Sequence, residues 1–249
     1  MAHTFDRKLR FAGATSSVTS DFICSVGATV LVVSVVTAGS TNRTGGNPTF
    51  NGVTLSQADQ LRKYSSPETS CELFYLLNPP TGSPYQISVP NTGTRTLYIV
   101  ASSYKAASGY TSALDQQNGN TGLGANPSVS VVTTVNGDVI VGVLGDGYKT
   151  APSGRSGQSL YETDDGNYSD NAQYYLQDGL GLWVTSWTIS SDDWCVCVVA
   201  FKEVAVGGPI WKKLLYFTEP SSTNAFNKLR FVSEPPVPGA WNKLAYEGE

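Results

Sequence analysis

Short apolar or alternating runs, separated by turn-forming sequences, fill most of this chain and restrict its fold more than any other feature. No segment shows sustained helical periodicity, and Asn51-Gly52 and Asn136-Gly137 supply the positive φ angles of tight hairpins. The pattern predicts an all-β fold of two stacked antiparallel sheets, a β-sandwich. The predicted strands are Phe22–Val26, Thr29–Thr37, Leu73–Leu77, Gln86–Val89, Thr96–Ser102, Val129–Thr133, Asp138–Leu144, Leu182–Ile189 and Trp194–Phe201.

Two of these strands, Thr29–Val36 and Trp194–Phe201, are apolar on both faces. One face of such a strand packs on the core, and the other needs cover from a second layer or a neighbouring subunit. By contrast, Ser103–Pro127 and Gly145–Asn171 are rich in Gly, Ser, Asn and Tyr. They are predicted to be long irregular loops, where a ligand or partner is expected to bind.

An internal repeat follows Gly207-Gly208-Pro209, where the composition changes. Three segments of the form aromatic-x-Lys-Leu-x-aromatic recur every 15 residues, and Phe5–Phe11 is a related segment with one extra residue. We therefore divide the chain into an N-terminal arm (residues 1–17), a β-sandwich domain (18–206) and a C-terminal tail (207–249). The aromatic and leucine positions of these segments are Phe5, Leu9, Phe11, Trp211, Leu214, Tyr216, Phe226, Leu229, Phe231, Trp241, Leu244 and Tyr246.

A six-residue segment is too short to bury its own aromatic side chains, and the prolines between segments prevent a continuous helix or central strand. Burial of one aromatic side chain contributes about 1.5–3 kcal/mol. One segment therefore binds weakly, whereas three tethered segments bind far more strongly. We predict that these residues bind a partner surface on another subunit. The alternative is that the tail folds back on its own sandwich and covers open strand edges.

The sequence offers no catalytic constellation. Its one histidine, His3, lies near an N-terminus that we expect to be frayed, so Ser-His-Asp, Cys-His and histidine-metal arrangements are not expected. No glycine-rich loop has the spacing that cradles phosphates. We predict a non-enzymatic protein with no cofactor.

One acidic, tyrosine-containing loop is a candidate ligand site. Clustered carboxylates suit a cation such as Ca²⁺, and the tyrosines suit stacking on sugar rings, which leaves a carbohydrate-binding or receptor-binding module as the alternative function. The spacing is not that of an EF-hand, and Asx-type turns in solvent explain the same composition. The residues are Tyr161, Asp164, Asp165, Tyr168 and Asp170.

Charge, hydropathy and cysteine usage indicate which partners and which cellular compartment to expect. The net charge is −4 and no Lys/Arg cluster stands out, so no nucleic-acid partner is expected. The apolar run that begins at Phe22 is interrupted by Ser25 and Gly27 and is dominated by Val, which favours two buried strands over a membrane span. No export signal is recognised. The cysteines form no Cys-x-x-Cys pair and are expected to be buried free thiols. A bridge between Cys24 and Cys71 is the open alternative, without support from the sequence.

A family resemblance rests on a few stretches of the predicted sandwich. These resemble the jelly-roll, concanavalin-like domain of structural proteins of tailed bacteriophages and of bacterial surface proteins. The resemblance covers about Val18 to Val204 and carries no catalytic residues. The stretches are Asn51-Gly-Val-Thr-Leu55, Leu73-Phe-Tyr-Leu-Leu-Asn-Pro-Pro-Thr-Gly82, Val131-Val-Thr-Thr-Val-Asn-Gly-Asp-Val-Ile-Val141 and the closing pattern from Trp187 to Lys202.

The aromatic-Lys-Leu segments are similar to the arms by which capsid decoration (cement) proteins grip neighbouring subunits. The resemblance implies a virion component on a capsid or tail surface, assembled in the host cytoplasm. It further implies a homo-oligomer, a trimer, bound to the major capsid protein or to other virion subunits.

Overall fold

The computed structural model describes residues 3–38, 46–65, 68–91, 96–146, 154–162, 170–177 and 179–206. Within these residues the chain forms strands and no helix, so the all-β prediction is confirmed. The strands are β1 (Thr4–Gly13), β2 (Ser17–Phe22), β3 (Val30–Ala38), β4 (Thr49–Phe50), β5 (Val53–Thr54), β6 (Ser56–Ser65), β7 (Glu68–Leu77), β8 (Tyr85–Pro90), β9 (Leu97–Lys105), β10 (Tyr110–Gly124), β11 (Ser128–Thr133), β12 (Val139–Asp146), β13 (Gly154–Arg155), β14 (Gln158–Glu162), β15 (Asp170–Leu176), β16 (Gly181–Thr188) and β17 (Asp192–Ala205).

The described strands form four sheets with antiparallel pairing. Sheet A has the order β1-β9-β3-β7-β6, and sheet B has the order β2-β8-β4-β5. Sheet C has the order β10-β17-β12-β15-β14, and sheet D has the order β11-β16-β13. Three clusters of buried apolar side chains lie between these sheets, one between B and A, one between A and C, and one between C and D. The sheets are therefore stacked in the order B, A, C, D.

The two central sheets are buried on both faces, which explains the strands that are apolar throughout. In β3, Val30 and Val32 face sheet C, whereas Leu31 and Val33 face sheet B. β17 divides its side chains in the same way between sheets A and D. Because successive side chains of a strand point to opposite faces, one strand contributes alternate side chains to two different cores. The cover predicted for the second face of these strands is supplied by further layers of the same chain.

The strand orders reveal that β1–β9 and β10–β17 repeat one arrangement, in which β5 alone of the described strands has no counterpart. The order β1-β9-β3-β7-β6 becomes β10-β17-β12-β15-β14 when each strand is replaced by its counterpart in the second copy. Similarly, β2-β8-β4 corresponds to β11-β16-β13. We call β1–β9 the first half and β10–β17 the second half. Sheets A and C, which correspond, meet face to face at the centre of the stack.

A matching polar contact supports this internal correspondence. In the first half, Asp6 accepts a hydrogen bond from the backbone N–H of Ser25 (3.0 Å) and lies 3.4 Å from Lys105 Nζ. In the second half, Asp115 accepts a hydrogen bond from the backbone N–H of Thr134 (2.7 Å) and lies 3.2 Å from Lys202 Nζ. Each aspartate thus ties the first strand of its half to the turn before the third strand and to the end of the last strand.

Aromatic contacts join the two halves in a reciprocal way. Tyr75 of β7 packs edge-on against Phe201 of β17, with ring centroids 5.2 Å apart. Tyr174 of β15, the counterpart of Tyr75, contacts Tyr104 of β9, the counterpart of Phe201, at 5.8 Å. This exchange is the signature of a pseudo-twofold relation, because each half offers the other the same pair of positions.

His3 is buried between the halves, so the expectation of a frayed terminus at this residue is wrong. Its Nδ1 lies 2.8 Å from the carbonyl oxygen of Gly137, and its Nε2 lies 2.9 Å from Ser112 Oγ. Burial lowers the pKa of His3, although the hydrogen bond to Gly137 and the charge of Glu203 oppose the shift. A neutral ring that donates from Nδ1 and accepts at Nε2 satisfies both contacts.

All four cysteines are buried free thiols, in agreement with the sequence-based interpretation. Cys24 belongs to the cluster between sheets B and A, whereas Cys71 belongs to the cluster between A and C. A bridge between these two would have to cross sheet A. Cys195 and Cys197 lie on one face of β17, as their spacing predicts, and the sulfur of Cys197 is 3.3 Å from that of Cys71.

Several strand boundaries differ from the expected ones. Ser103–Pro127, predicted to be irregular, contains the 15-residue strand β10. The segment Phe22–Val26 is not a strand, because β2 ends at Phe22 and a turn follows in which Gly27 has a φ of 88°. The expected break near Gly27 is present. The Asn51-Gly52 hairpin is present too, with φ angles of 51° and 75°.

Candidate interaction surface

The predicted N-terminal binding residues lie on β1, the edge strand of sheet A. β1 pairs with β9 from Thr4 to Gly13, within the segment interpreted from the sequence as an arm. Phe5 stacks on Tyr174 with ring centroids 5.0 Å apart, and it packs against the core between sheets A and C. Leu9 and Phe11 are half-buried against the cluster between sheets B and A.

The extra residue in the Phe5–Phe11 segment coincides with a β-bulge. The register of β1 against β9 shifts between Phe5 and Arg7. A bulge reverses the faces on which the following side chains lie, so Phe5 faces sheet C whereas Leu9 and Phe11 face sheet B. The segment therefore buries apolar side chains on both sides of its sheet.

The other predicted site residues fall wholly or partly outside the described residues. Tyr161 is in β14 and Asp170 is in β15 by their backbones. The rest of the candidate ligand loop and the whole tail lie beyond the part of the chain that the structure describes. Their predicted roles remain predictions. They concern Asp164, Asp165, Tyr168, Trp211, Leu214, Tyr216, Phe226, Leu229, Phe231, Trp241, Leu244 and Tyr246.

The described residues present a different surface that the sequence interpretation missed. On the outer face of sheet D, Val132 of β11 lies directly opposite Leu182 of β16, and Val184 is two residues further along β16. These side chains are 57%, 66% and 50% exposed. We call them the β11–β16 face. The sequence signal was present, because Leu182-Trp183-Val184 is apolar on both sides of its strand.

The corresponding face of the first half is polar. In sheet B, Asp21 of β2 lies opposite Gln86 of β8, in the positions that Val132 and Leu182 occupy in sheet D. Both side chains are exposed. The same arrangement of strands is therefore built with a charged and an amide side chain at this position. The apolar side chains of the β11–β16 face are not required by the fold.

A shallow groove of about 440 Å³ adjoins the β11–β16 face at Val184. Its opposite wall is β10, whose Asn118 and Asn120 donate from their side-chain amides to the carbonyl oxygens of Ser130 (2.8 Å) and Ser128 (3.1 Å). The amide oxygens of both asparagines accept hydrogen bonds from backbone N–H groups of β10. Asn118, Asn120, Ser128 and Ser130 make the lining of this groove mainly polar, and Val184 is the side chain that the groove shares with the β11–β16 face.

A charged cluster lies where β11 ends, next to the β11–β16 face. Burial opposes ionisation of Asp115, but hydrogen bonds from Thr134, Asp138 and Lys202 hold the pKa of this carboxyl below its usual value. Asp138 is fully buried beside it. Burial first, then the hydrogen bond and charge of Asp115, raise the pKa of Asp138 to about 8, while Lys202 opposes the shift. At neutral pH Asp138 is therefore protonated and Asp115 is ionised, and one proton lies between the two carboxyl groups. The hydrogen bonds of this pair hold the polar residues at the end of the β11–β16 face in place.

Within the described ranges, no group of three or more His, Cys, Asp or Glu side chains has the geometry of a metal site. In the same ranges there is no helix that is long and apolar enough to cross a membrane. The β11–β16 face consists of three exposed aliphatic side chains beside a groove, so these side chains can contact a partner only by apolar packing. That chemistry suits apolar docking of another polypeptide.

Comparisons with protein-family models, with curated proteins and with solved structures find no match to this chain.

Proposed function

We propose that this protein is a non-enzymatic structural protein that attaches to neighbouring subunits through exposed apolar surface on its sandwich and through its terminal segments. The observation that carries the proposal is the contrast between the two halves. Val132 and Leu182 are more than half exposed where the first half has Asp21 and Gln86. The fold accepts either pair, whereas only the apolar pair gives a subunit of an assembly a docking surface.

The size of the effect suits a repeated, cooperative contact. Full burial of an exposed Val or Leu side chain contributes about 1.5–3 kcal/mol. Three such side chains give a contact that is modest for one pair of molecules. In a lattice or an oligomer, where each subunit is held at several points, the same contact becomes strong.

The setting that we propose is a virion, where the protein acts as a capsid decoration protein, a homo-oligomer (trimer) bound to the major capsid protein. The family resemblance and the three aromatic-Lys-Leu segments of the tail support this proposal. We also propose that each half is a jelly roll. Its support is the way that the chain passes back and forth between two sheets, with β1, β3, β6, β7 and β9 in one and β2, β4, β5 and β8 in the other. Of the consecutive strands in this half, only β4–β5 and β6–β7 stay within one sheet.

The test uses particles assembled from a major capsid protein encoded in the same genome as this chain. The full chain is mixed with the particles, the particles are sedimented, and the bound protein is quantified against concentration. We expect saturable binding. The face variant Val132→Asp/Leu182→Gln, which copies the residue pair of the first half, is expected to bind at least about tenfold more weakly.

The matched control is Asp21→Asn/Gln86→Ser, a polar exchange at the corresponding position of sheet B. It is expected to bind like the unmodified protein. The proposal is wrong if the unmodified protein does not bind the particles. The role of the β11–β16 face in attachment is wrong if the face variant reaches the same occupancy at the same concentrations.

A further inference from the structure

We propose that the β11–β16 face binds one aromatic-Lys-Leu segment from the tail of a second copy of this chain. This inference rests on the proposed function and names the partner of the same surface. The occupant is thus one of the segments that begin at Trp211, Phe226 and Trp241. Exchange of tails between copies would link the subunits into an oligomer.

The first support is the behaviour of the segment Phe5–Phe11, the one copy of this motif that lies in the described residues. Its two aromatic side chains and its leucine all pack against apolar surface of sheets B and C. Phe5 stacks on Tyr174, a residue more than 160 positions away in the sequence. The motif is therefore used in this chain to attach a short segment to a distant sheet.

The second support is the place where the described chain ends. β17 runs to Ala205, and Lys202 near its end contacts Asp115. Asp115 in turn holds the backbone N–H of Thr134, two residues after Val132. The last strand before the tail is thus tied, through Asp115, to the residue that follows β11.

The third support is the number and reach of the segments. The tail carries three segments, whereas the described residues offer one such face, since the counterpart in the first half is polar. An extended chain spans about 3.3 Å per residue, so the stretch from Val206 to Trp241 reaches roughly 115 Å. A unit of about 200 residues has a radius of gyration of only roughly 17 Å. A tail with such reach spans the distance to a second copy, and a chain with three segments and one face has segments left for that copy even when its own face is filled.

The self-association test uses the full chain in the absence of capsid particles. Sedimentation velocity is measured over a range of protein concentrations for the unmodified chain, for Val132→Asp/Leu182→Gln, for the tail variant Trp211→Ala/Phe226→Ala/Trp241→Ala, and for the control Asp21→Asn/Gln86→Ser. The unmodified chain and the control are expected to form the same oligomer. The face and tail variants are each expected to dissociate at concentrations at least about tenfold higher than the unmodified oligomer requires.

The docking test uses a labelled peptide of residues 239–248 as the probe and the tail variant, whose own segments are disabled, as the receptor. Fluorescence anisotropy is expected to show binding that weakens at least about tenfold when Val132→Asp/Leu182→Gln is added. A peptide with Trp241→Ala and Tyr246→Ala serves as the control. Circular dichroism of each variant verifies that the strands are retained.

Each result has a fixed meaning. Equal peptide binding by receptors with and without the face substitutions overturns the inference, because the segment then docks elsewhere. A chain that stays monomeric while the peptide binds only the tail variant also overturns it, because each tail then occupies its own face. Binding of the unmodified chain to capsid particles is measured independently of these results, so the proposed function and this inference can fail separately. If the face holds a tail of a second copy, the weaker capsid binding of the face variant follows from loss of the oligomer and of its multiple attachment points.

Discussion

Asp138 and Thr29 show how two corresponding positions acquire different chemistry. Each residue precedes the third strand of its half. The carbonyl oxygen of Thr29 accepts a hydrogen bond from the backbone N–H of Asn78, and that of Asp138 accepts one from Gln177, both at 2.9 Å. The Thr29 hydroxyl also accepts a hydrogen bond from the backbone of Ala106. By contrast, neither carboxyl oxygen of Asp138 accepts a hydrogen bond from the described residues. A protonated Asp138 carries no charge and donates a hydrogen bond to Asp115, which explains how this side chain can be buried.

Protonation of Asp138 has a consequence for stability. Its folded pKa of about 8 lies above the ordinary value of 3.8. The stabilisation is therefore complete below about pH 4 and is lost as the pH rises toward 8, by at most about 1.4 kcal/mol per pH unit. Urea unfolding of the Asp138→Asn variant, whose amide mimics the protonated acid, is expected to lack this decline.

The comparison is made between pH 5 and pH 8, with the exposed substitution Asp21→Asn as the control. In the same window, the lowered pKa of His3 acts with the opposite sign, because its stabilisation is present above about pH 6.5 and is lost as the pH falls. The difference between the variant and the unmodified protein cancels that contribution. Parallel pH profiles for the two proteins would show that Asp138 is not the proton carrier.

The strands differ in how far the sequence could predict them. β3 and β17 are runs of apolar residues that only a buried strand explains, and the structure confirms both. β10 was missed because its polar residues satisfy their hydrogen bonds with a strand that lies next to it only after folding. Between β10 and β11, the side chains of Asn118 and Asn120 donate the hydrogen bonds to backbone carbonyls that backbone N–H groups would donate in a regular sheet. No local sequence pattern predicts that role. β1 was not predicted as a strand because its bulge between Phe5 and Arg7 breaks the alternation of side chains that indicates one.

The role of the two asparagines is tested by Asn118→Ala/Asn120→Ala. Each side-chain hydrogen bond contributes about 0.5–1.5 kcal/mol net. Because both side chains are exposed, we expect the double variant to lose about 1–2 kcal/mol in the free energy of unfolding, measured with urea. Gln117→Ala, an exposed change on the same strand, is the control. A loss no larger than that of the control would mean that the sheets C and D are held together by apolar packing alone.

The candidate surface was also only partly predictable. The tail motif could be recognised because identical residue types recur at equal spacing. The β11–β16 face could not, since an exposed pair such as Val132 and Leu182 becomes informative only beside its polar counterpart Asp21 and Gln86. That comparison requires the register of two sheets. Their correspondence is hidden in the sequence, because the two halves share strand positions more than residue identities.

The described residues form two similar halves joined through one buried core, and that core determines whether the two halves unfold together. Sheets A and C share a cluster that includes Tyr75, Tyr104 and Phe201, the last two fully buried. Neither half can expose its side of this cluster without exposing that of the other. We therefore expect one cooperative transition rather than two, although each half has a second core of its own.

The tryptophans provide a way to measure this. Trp183, Trp187 and Trp194 lie in the second half, and no tryptophan lies in the first half. In the variant Trp211→Phe/Trp241→Phe, fluorescence therefore reports the second half, whereas far-UV circular dichroism reports both. The two urea transitions are expected to coincide. Adding Phe201→Leu should lower both midpoints equally, by about 1–2 kcal/mol in stability. A fluorescence midpoint that moves while part of the dichroism signal stays in place would mean that the halves fold independently.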